Sequence, residues 1–437
     1  MKIKFATILS FLALSFLASG QVKYVRYFEG DLKAVEGEMT RDSVPNGKWT
    51  WYHPNGKIFQ EGIYKNGDKV GQWSVFYDNG SRCAEDFYEN GINRTWYPNG
   101  ELESEVQIVN GKKDGVYTSW YDNGTKKQEV IFQEGIRVGE TNEWHSNGQL
   151  KFKGTYENGL LNGKGLWWFA NGKKEMEGNL VDDEQDGPWV FYWQSTGRVG
   201  VEGTYSNGLE DGPWVYYFET GAKWKVGDYK DGERIGVWTT FYETGRKQYE
   251  GSYTNGLENG VWTAWYQDGK TDYIGNFKDG KRDGTWIAFY SNGRKRYGID
   301  YKNDVVNGKE IFYHENGAMS SYTEYKNGVK NGKSEKLYPN GNKQEVGTFK
   351  NNEKEGNWIY YGESGAIYRE QSFKNGLANG KWIEYHPNGQ KAAEGSYKNL
   401  EKEGTWRYWD KNGKSIRLME FKDGVKISEG RTKNPNR

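Results

Sequence analysis

The chain has 437 residues with 60 glycines, 20 tryptophans and 33 tyrosines, and its 60 lysines and arginines balance 60 aspartates and glutamates. A mean hydropathy of −1.00 excludes a thick aliphatic core, whereas an aromatic content of 16% argues against a disordered chain. Because the net charge is zero, no domain-wide basic field exists to bind nucleic acid or an anionic membrane by charge alone.

The first 20 residues have the pattern of a secretory signal peptide. Lys2 and Lys4 precede an apolar run over residues 5–17, and residues 18–20 are small, which predicts cleavage after Gly20. The alternative is an apolar N-terminal helix of the folded protein. We expect an exported protein, and the sequence leaves open whether it stays in the periplasm, on the cell surface or in the medium.

From residue 47 onward a glycine recurs at a spacing of 24 residues, except for 20 between Gly71 and Gly91 and 25 between Gly187 and Gly212. Such a period is typical of a tandem repeat protein. We therefore divide the chain into a signal peptide (1–20), an N-terminal half-repeat cap (21–46), a repeat array (47–427) and a polar C-terminal tail (428–437). The recurring glycines are Gly47, Gly71, Gly91, Gly115, Gly139, Gly163, Gly187, Gly212, Gly236, Gly260, Gly284, Gly308, Gly332, Gly356, Gly380 and Gly404.

Each repeat follows the consensus G-x-W-x-x-[FYW]-Y-x-x-G-x-K-x-x-x-G-x-Y-x-N-G-x-x-x. Two short aromatic stretches favour strands, and Asn-Gly pairs such as Asn55-Gly56 favour a first, tight turn because both residues tolerate positive φ. The second turn is expected to be looser. The sequence thus predicts an all-β fold: an elongated single-sheet antiparallel meander of about sixteen tandem β-hairpins.

A tryptophan two places after the recurring glycine predicts how so thin a sheet is stabilised. We expect each indole to cover a Cβ-less glycine of a neighbouring strand, in a continuous aromatic seam. The tryptophan is missing in six repeats, and its absence at Glu310 and Ser334 makes residues 308–345 the weakest part of the seam, through a bend, a partner site or drift. The structural repeat aromatics are Trp49, Trp73, Trp189, Trp214, Trp238, Trp262, Trp286, Trp358, Trp382 and Trp406.

The sequence offers no catalytic, cofactor or metal site. The four histidines, His53, His145, His314 and His386, each take the place of a repeat aromatic and are too far apart to share a metal. The lone Cys83 has no partner for a disulfide. We expect no enzyme activity and no cofactor.

Basic residues often follow the first turn and are candidates for an anion-facing edge of the ribbon. The alternative is a ladder neutralised by nearby glutamates that guards against edge pairing, and the zero net charge favours it. The candidate residues are Lys57, Arg82, Lys126, Lys173, Arg198, Arg246, Arg294 and Lys391.

The repeat resembles the MORN repeat in its longer bacterial variant. Tyr253-Thr-Asn-Gly256 running on to Gly260-Val-Trp262 carries the resemblance, which covers nearly all of residues 37–424. It implies an elongated β-hairpin array that acts as a scaffold or membrane-associated adaptor, without a catalytic motif. Eukaryotic members are linked to phospholipids, and some bacterial relatives have antitoxin-like labels. A fainter resemblance is to choline- and glucan-binding cell-wall repeats, whose spacing is not matched here.

We therefore predict a non-enzymatic, exported scaffold that binds a protein partner through its long regular surface. The alternatives are a glycan-binding cell-envelope protein that uses aromatic faces, a peripheral phospholipid-binding protein and an antitoxin-like repeat protein. Nucleic acid is not an expected partner. The identity of the partner and the repeats that bind it are beyond the sequence.

Overall fold

A computed structural model describes residues 20–430 and the backbone of Ser15–Phe16. The predicted signal peptide therefore lies almost entirely outside the described residues, as do residues 431–437 of the predicted tail. The chain divides into two units, Met1–Gly212 and Pro213–Arg437. The described residues of both units are all-β, without helix.

The described residues of the first unit contain nineteen complete strands. These are β1 (Ser15–Phe16), β2 (Val22–Tyr27), β3 (Lys33–Met39), β4 (Pro45–Tyr52), β5 (Ile58–Lys65), β6 (Asp68–Phe76), β7 (Arg82–Phe87), β8 (Gly91–Trp96), β9 (Leu102–Val109), β10 (Lys112–Lys113), β11 (Gly115–Trp120), β12 (Lys126–Gln133), β13 (Ile136–Trp144), β14 (Leu150–Glu157), β15 (Leu160–Trp168), β16 (Lys174–Val181), β17 (Glu184–Tyr192), β18 (Val199–Ser206) and β19 (Leu209–Glu210).

The second unit begins one residue into the next strand. Its strands are β20 (Gly212–Tyr217), β21 (Lys223–Lys230), β22 (Glu233–Phe241), β23 (Lys247–Thr254), β24 (Leu257–Trp265), β25 (Thr271–Lys278), β26 (Lys281–Arg282), β27 (Gly284–Phe289), β28 (Lys295–Lys302), β29 (Val305–Tyr313), β30 (Met319–Lys326), β31 (Val329–Leu337), β32 (Lys343–Lys350), β33 (Glu353–Tyr361), β34 (Ile367–Lys374), β35 (Leu377–Tyr385), β36 (Lys391–Lys398), β37 (Glu401–Trp409), β38 (Ser415–Lys422) and β39 (Val425–Gly430).

Within each unit, successive strands pair antiparallel in chain order, as β12–β13–β14 and β22–β23–β24 do. The predicted all-β meander of tandem hairpins is thus confirmed. The predicted N-terminal cap contains two paired strands, β2 and β3. The last strand, β39, includes the first three residues of the predicted polar tail.

The recurring glycine lies inside a strand, at a β-bulge. Between β23 and β24, Glu250 pairs with Thr263 and Ser252 pairs with Asn259. One residue, Gly251, therefore lies opposite the three residues 260–262. Gly260 takes up the irregularity with a φ of 79°, in the left-handed region that favours glycine. The period seen in the sequence is thus the period of the bulge.

The two turns of the repeat are the reverse of the prediction. The first turn, at residues 53–57, is a three-residue loop in which the Gly56 N–H donates to the His53 carbonyl, and only Gly56 of the Asn55-Gly56 pair has a positive φ. The second turn is the tight one. Lys65 pairs directly with Asp68, and the two residues between them, Asn66 and Gly67, have φ values of 54° and 93°, as a type I′ hairpin turn requires.

Candidate functional site

Eight of the ten seam tryptophans cover a glycine of the preceding repeat, as predicted. A Cβ added to any of eight strand glycines would overlap the indole of the following repeat, since the ring lies directly on the glycine backbone. The Trp238 Nε1–H also donates to the Asp228 carbonyl next to the covered Gly227, at 3.1 Å. The covered glycines are Gly37, Gly62, Gly178, Gly227, Gly251, Gly275, Gly347 and Gly395.

Tyrosine and phenylalanine rings join successive tryptophans of the seam within each unit. In the second unit Trp238 lies edge-on to Tyr229 and Tyr253, with ring centroids 5.0 and 6.2 Å apart. Tyr253 in turn contacts Trp262 at 5.3 Å. Because such edge-to-face contacts stabilise beyond the area they bury, the seam supplies the thin sheet with a core one ring thick.

Repeats that lack the tryptophan compensate for its loss. Glu310 replaces the tryptophan where Ile299, only 7% exposed, replaces the glycine that it would cover. In the next repeat Ser334 faces Thr323, and their buried hydroxyls are 3.3 Å apart. In residues 308–345, other side chains therefore occupy the space that tryptophan fills elsewhere in the seam. The sequence contains this signal as the joint loss of tryptophan and glycine, which our sequence reasoning missed. The matching is incomplete, because Trp382 faces Gln371 instead of a glycine.

Basic side chains cap the seam from above. The ammonium groups of Lys354 and Lys402 lie 3.9 and 4.1 Å from the ring centroids of Trp358 and Trp406. In the first unit Lys69 lies 4.1 Å from the ring centroid of Trp73. These residues stand two places before the recurring glycine, at a position that the sequence analysis did not single out. The cation–π contacts leave the covered rings little open face.

The histidines occupy the tyrosine position of a hydrogen-bond ladder. The Tyr97 and Tyr121 hydroxyls donate to the carbonyls of Trp120 and Trp144, each 23 residues ahead and 2.8 Å away. At the same position the His145 Nε2 lies 2.8 Å from the Trp168 carbonyl. Because a carbonyl only accepts, the imidazole carries its proton on Nε2. A histidine so engaged serves the ladder, and residues 20–430 contain no group of three or more potential metal ligands.

Asparagine of the first turn links successive repeats. The Asn99 Nδ2 donates to the Asp122 carbonyl 3.0 Å away in the next first turn, while its Oδ1 accepts from the Glu101 N–H at 3.0 Å. Asn123 repeats both contacts one hairpin on. The asparagine is therefore favoured because its side-chain amide both donates and accepts a hydrogen bond. The sequence argument that asparagine is favoured here for positive φ was wrong.

The eight candidate anion-facing residues fall at two positions. Five stand directly after the turn glycine, and four of these donate to a backbone carbonyl of the next repeat, as the Arg246 Nη1 does to Gln267 at 2.8 Å. The other three stand one place later, and each contacts a glutamate three residues on, as Lys126 does with Glu129 at 2.7 Å. The first group is Lys57, Lys173, Arg198, Arg246 and Arg294, and the second is Arg82, Lys126 and Lys391.

The sheet face opposite the seam carries glutamates held by lysines and a tyrosine. Glu177, next to the covered Gly178, accepts from Tyr192 at 2.5 Å and pairs with Lys164 and Lys174 at 2.9 and 3.0 Å. The tyrosine hydrogen bond, followed by those from the two lysines, lowers the pKa of Glu177 to about 2. We call this arrangement the glutamate seat.

Apolar side chains project from the edge of the sheet that carries the type I′ turns. In the second unit Leu257, Val305, Leu377 and Val425 each follow such a turn and are 41–65% exposed. In the first unit Ile136 and Leu160 also follow such a turn and are 50% and 39% exposed. Charged residues occupy this position in several intervening hairpins, so the edge presents a regular mixture of apolar and charged groups.

Fold and surfaces together define a tandem β-hairpin repeat protein. The family model described as "MORN repeat variant" matches residues 45–66, 89–110, 113–134, 137–158, 234–255, 258–279, 306–327, 330–351, 354–375, 378–399 and 402–423. These matches cover more than half of the chain. The chain belongs to the MORN repeat variant family.

Other comparisons add little. No curated protein matches the chain. Among solved structures, the chain is similar to a protein in the "Crystal Structure of TcdB2-TccC3 without hypervariable C-terminal region", with 10% identity and a TM-score of 0.15. The match covers 97% of this chain but 30% of the other, so the chain spans less than a third of that protein's length. Within residues 20–430, no helix is long and apolar enough to cross a membrane.

Proposed function

We propose that this MORN repeat protein is a non-enzymatic, exported scaffold that binds a protein partner along its type I′ turn edge. The observation that supports this most directly is the recurrence of Leu257, Val305, Leu377 and Val425 at one position, each at least 41% exposed. A row of apolar groups interleaved with charges has the composition of a protein-binding surface, and repeat arrays commonly bind through such rows.

The competing functions have weaker support. Glycan binding needs open aromatic faces, but Trp73 and Trp358 are 1% and 0% exposed. Lipid binding through the basic edge needs free cations, but Arg246 and Lys126 are engaged with a backbone carbonyl and with Glu129. An antitoxin-like role remains a proposal without a specific observation in its favour.

Site-specific photo-crosslinking in the producing cells tests the scaffold role. A photoreactive residue at Leu257 or Leu377 should give the same discrete crosslinked protein. A matched probe at Lys270, in a turn of the opposite edge, should not. Crosslinks of equal pattern from all three positions would argue against a binding edge.

Co-sedimentation of the chain from Gln21 onward tests the alternatives in parallel. Anionic vesicles report lipid binding, which should fall with added salt, and insoluble cell-wall polysaccharide reports glycan binding. The scaffold proposal expects the protein to remain in solution with both. Pelleting with either would replace it with the matching ligand class.

A further inference from the structure

The glutamate seat recurs on the face opposite the seam. In the first hairpin, Glu36 accepts from Tyr52 at 2.5 Å and pairs with Lys33 at 2.9 Å. Glu370 accepts from Tyr385 at 2.6 Å in the second unit. The parts of the seat are thus a carboxylate, a lysine three residues before it in several repeats, and a tyrosine of the following repeat.

In one repeat, Gly298 stands where the glutamate of the seat would be, so the seat has no carboxylate of its own. Gly298 pairs with Ile287 on one side and Ile311 on the other, as Glu177 pairs with Leu166 and Val190. Among the described residues, no heavy atom outside Gly298 and its two chain neighbours lies within 4 Å of where a Cβ of Gly298 would stand. Other repeats that lack the glutamate have a side chain there, such as Val226, Ile274 or Val346.

A notch of about 310 Å³ lies at Gly298. It is lined by Thr285, Ile287, Lys295, Gly298, Asp300, Lys309, Ile311 and Tyr313. A notch of about 380 Å³ at the first hairpin is lined in part by corresponding residues, among them Glu38, Lys48 and Tyr52, but there Glu36 occupies the seat. The two notches therefore differ in whether the chain supplies its own carboxylate.

The partners of the absent carboxylate are in place. Lys295 stands three residues before Gly298, as Lys174 does before Glu177, and Tyr313 stands fifteen after it, as Tyr192 does after Glu177. In the described part of the chain, the Lys295 ammonium forms no ion pair and the Tyr313 hydroxyl no hydrogen bond. The rim carboxylate of Asp300 is already held, by the Thr285 hydroxyl at 2.7 Å and the Lys309 N–H at 2.9 Å.

We propose that the notch at Gly298 binds an external carboxylate on a short aliphatic chain, which takes the place of the missing glutamate side chain. The ammonium of Lys295 and the hydroxyl of Tyr313 bind the carboxylate, as charge-assisted hydrogen bonds do at Glu177. Ile287 and Ile311 flank its methylene groups. The ligand is either a free small carboxylic acid or a glutamate side chain of a polypeptide.

Ligand-detected NMR titration of the full chain tests the site. Propionate reproduces the side chain that Gly298 lacks, and propionamide is its neutral counterpart. We expect saturable propionate binding and no propionamide binding. The Gly298→Glu variant supplies the carboxylate internally and should weaken propionate binding by about tenfold or more, as should Lys295→Met.

A matched variant controls for the added charge. Val346→Glu places a glutamate at the equivalent position of another repeat and should bind propionate as the wild type does. Equal binding of propionate and propionamide, or undiminished binding in Gly298→Glu, would overturn the proposal. So would no binding of propionate by the wild type.

A peptide arm distinguishes the two sources of the carboxylate. The probes are acetyl-Ala-Glu-Ala-amide and its glutamine counterpart. Tighter binding of the glutamate peptide than of propionate assigns the site to a polypeptide, whereas equal or weaker binding assigns it to a free carboxylic acid. The site does not depend on the scaffold function, since propionate binding is measured without any partner protein.

Discussion

At several positions of the repeat, the backbone conformation decides which residue type is favoured. At the type I′ turns, Asn255 and Gly256 have φ values of 49° and 73°, so the second turn residue stands where a side chain is strained. In other repeats the first of these positions is Asp231 or Glu134. At position 400 the second turn residue is a leucine instead of the usual glycine, and Leu400 has a φ of 77°.

Replacement of Leu400 by glycine should stabilise the protein. A non-glycine residue in the left-handed region costs about 1–2 kcal/mol, and the side chain, 59% exposed, loses little burial on removal. We expect the free energy of unfolding to rise by about 1 kcal/mol in urea denaturation. Leu377→Gly, at an exposed strand position without a positive φ, is the control and should lower it. A Leu400→Gly variant less stable than the wild type would contradict the strain argument.

At the scale of the element, each hairpin is joined to the next by side chains that reach across the strand boundary. The indole of Trp262 covers Gly251 of the preceding hairpin, and the Tyr242 hydroxyl reaches the Trp265 carbonyl of the following one at 2.8 Å. A tryptophan in one hairpin is therefore usually matched by a glycine, which has no side chain, at the facing position of the preceding hairpin. Ile299 facing Glu310 is the alternative solution.

A paired exchange tests this matching. Ile299→Gly alone should destabilise by about 2–5 kcal/mol, since it leaves a cavity, and Glu310→Trp alone should overpack the site. The double variant restores the tryptophan-over-glycine contact. Its loss of unfolding free energy should therefore be smaller than the sum of the losses in the two single variants, by about 0.5–3 kcal/mol. Thermal unfolding of the four proteins gives this coupling. Ile299→Gly with Ser334→Trp, one repeat away, should be additive, and additivity in both pairs would contradict the matching.

At the scale of the whole molecule, the described strands of each unit pair with the next strand in the chain, or with the one after it where a two-residue strand such as β10 or β26 intervenes. Stability in such an array is a sum of repeat terms and nearest-neighbour terms. Damage to the seam should therefore remain local within a unit. The chain has a single cysteine, Cys83, so no intramolecular disulfide links distant repeats.

Hydrogen exchange should show this locality in the second unit. Trp262→Ala removes a seam ring and should speed amide exchange in β23–β25 by about 100-fold or more, since such a truncation costs about 3–5 kcal/mol. Exchange in β33–β37 should not change. Val261→Ala, beside it but 62% exposed, should leave both regions nearly as in the wild type. A uniform increase across β23–β37 would show that the unit unfolds as one body.

The sequence by itself determined the period, the strands, the antiparallel meander and the tryptophan-over-glycine contact. These depend on constraints that act within one repeat: glycine at positive φ, alternation along a strand, and aromatic preference for a sheet. Only the tertiary structure decided which turn is tight, what Asn55 does, why residues 308–345 tolerate the loss of tryptophan, and where the vacant seat at Gly298 lies. Those features depend on the register between neighbouring hairpins. Each bulge shifts that register, and the sequence pattern does not specify by how many residues.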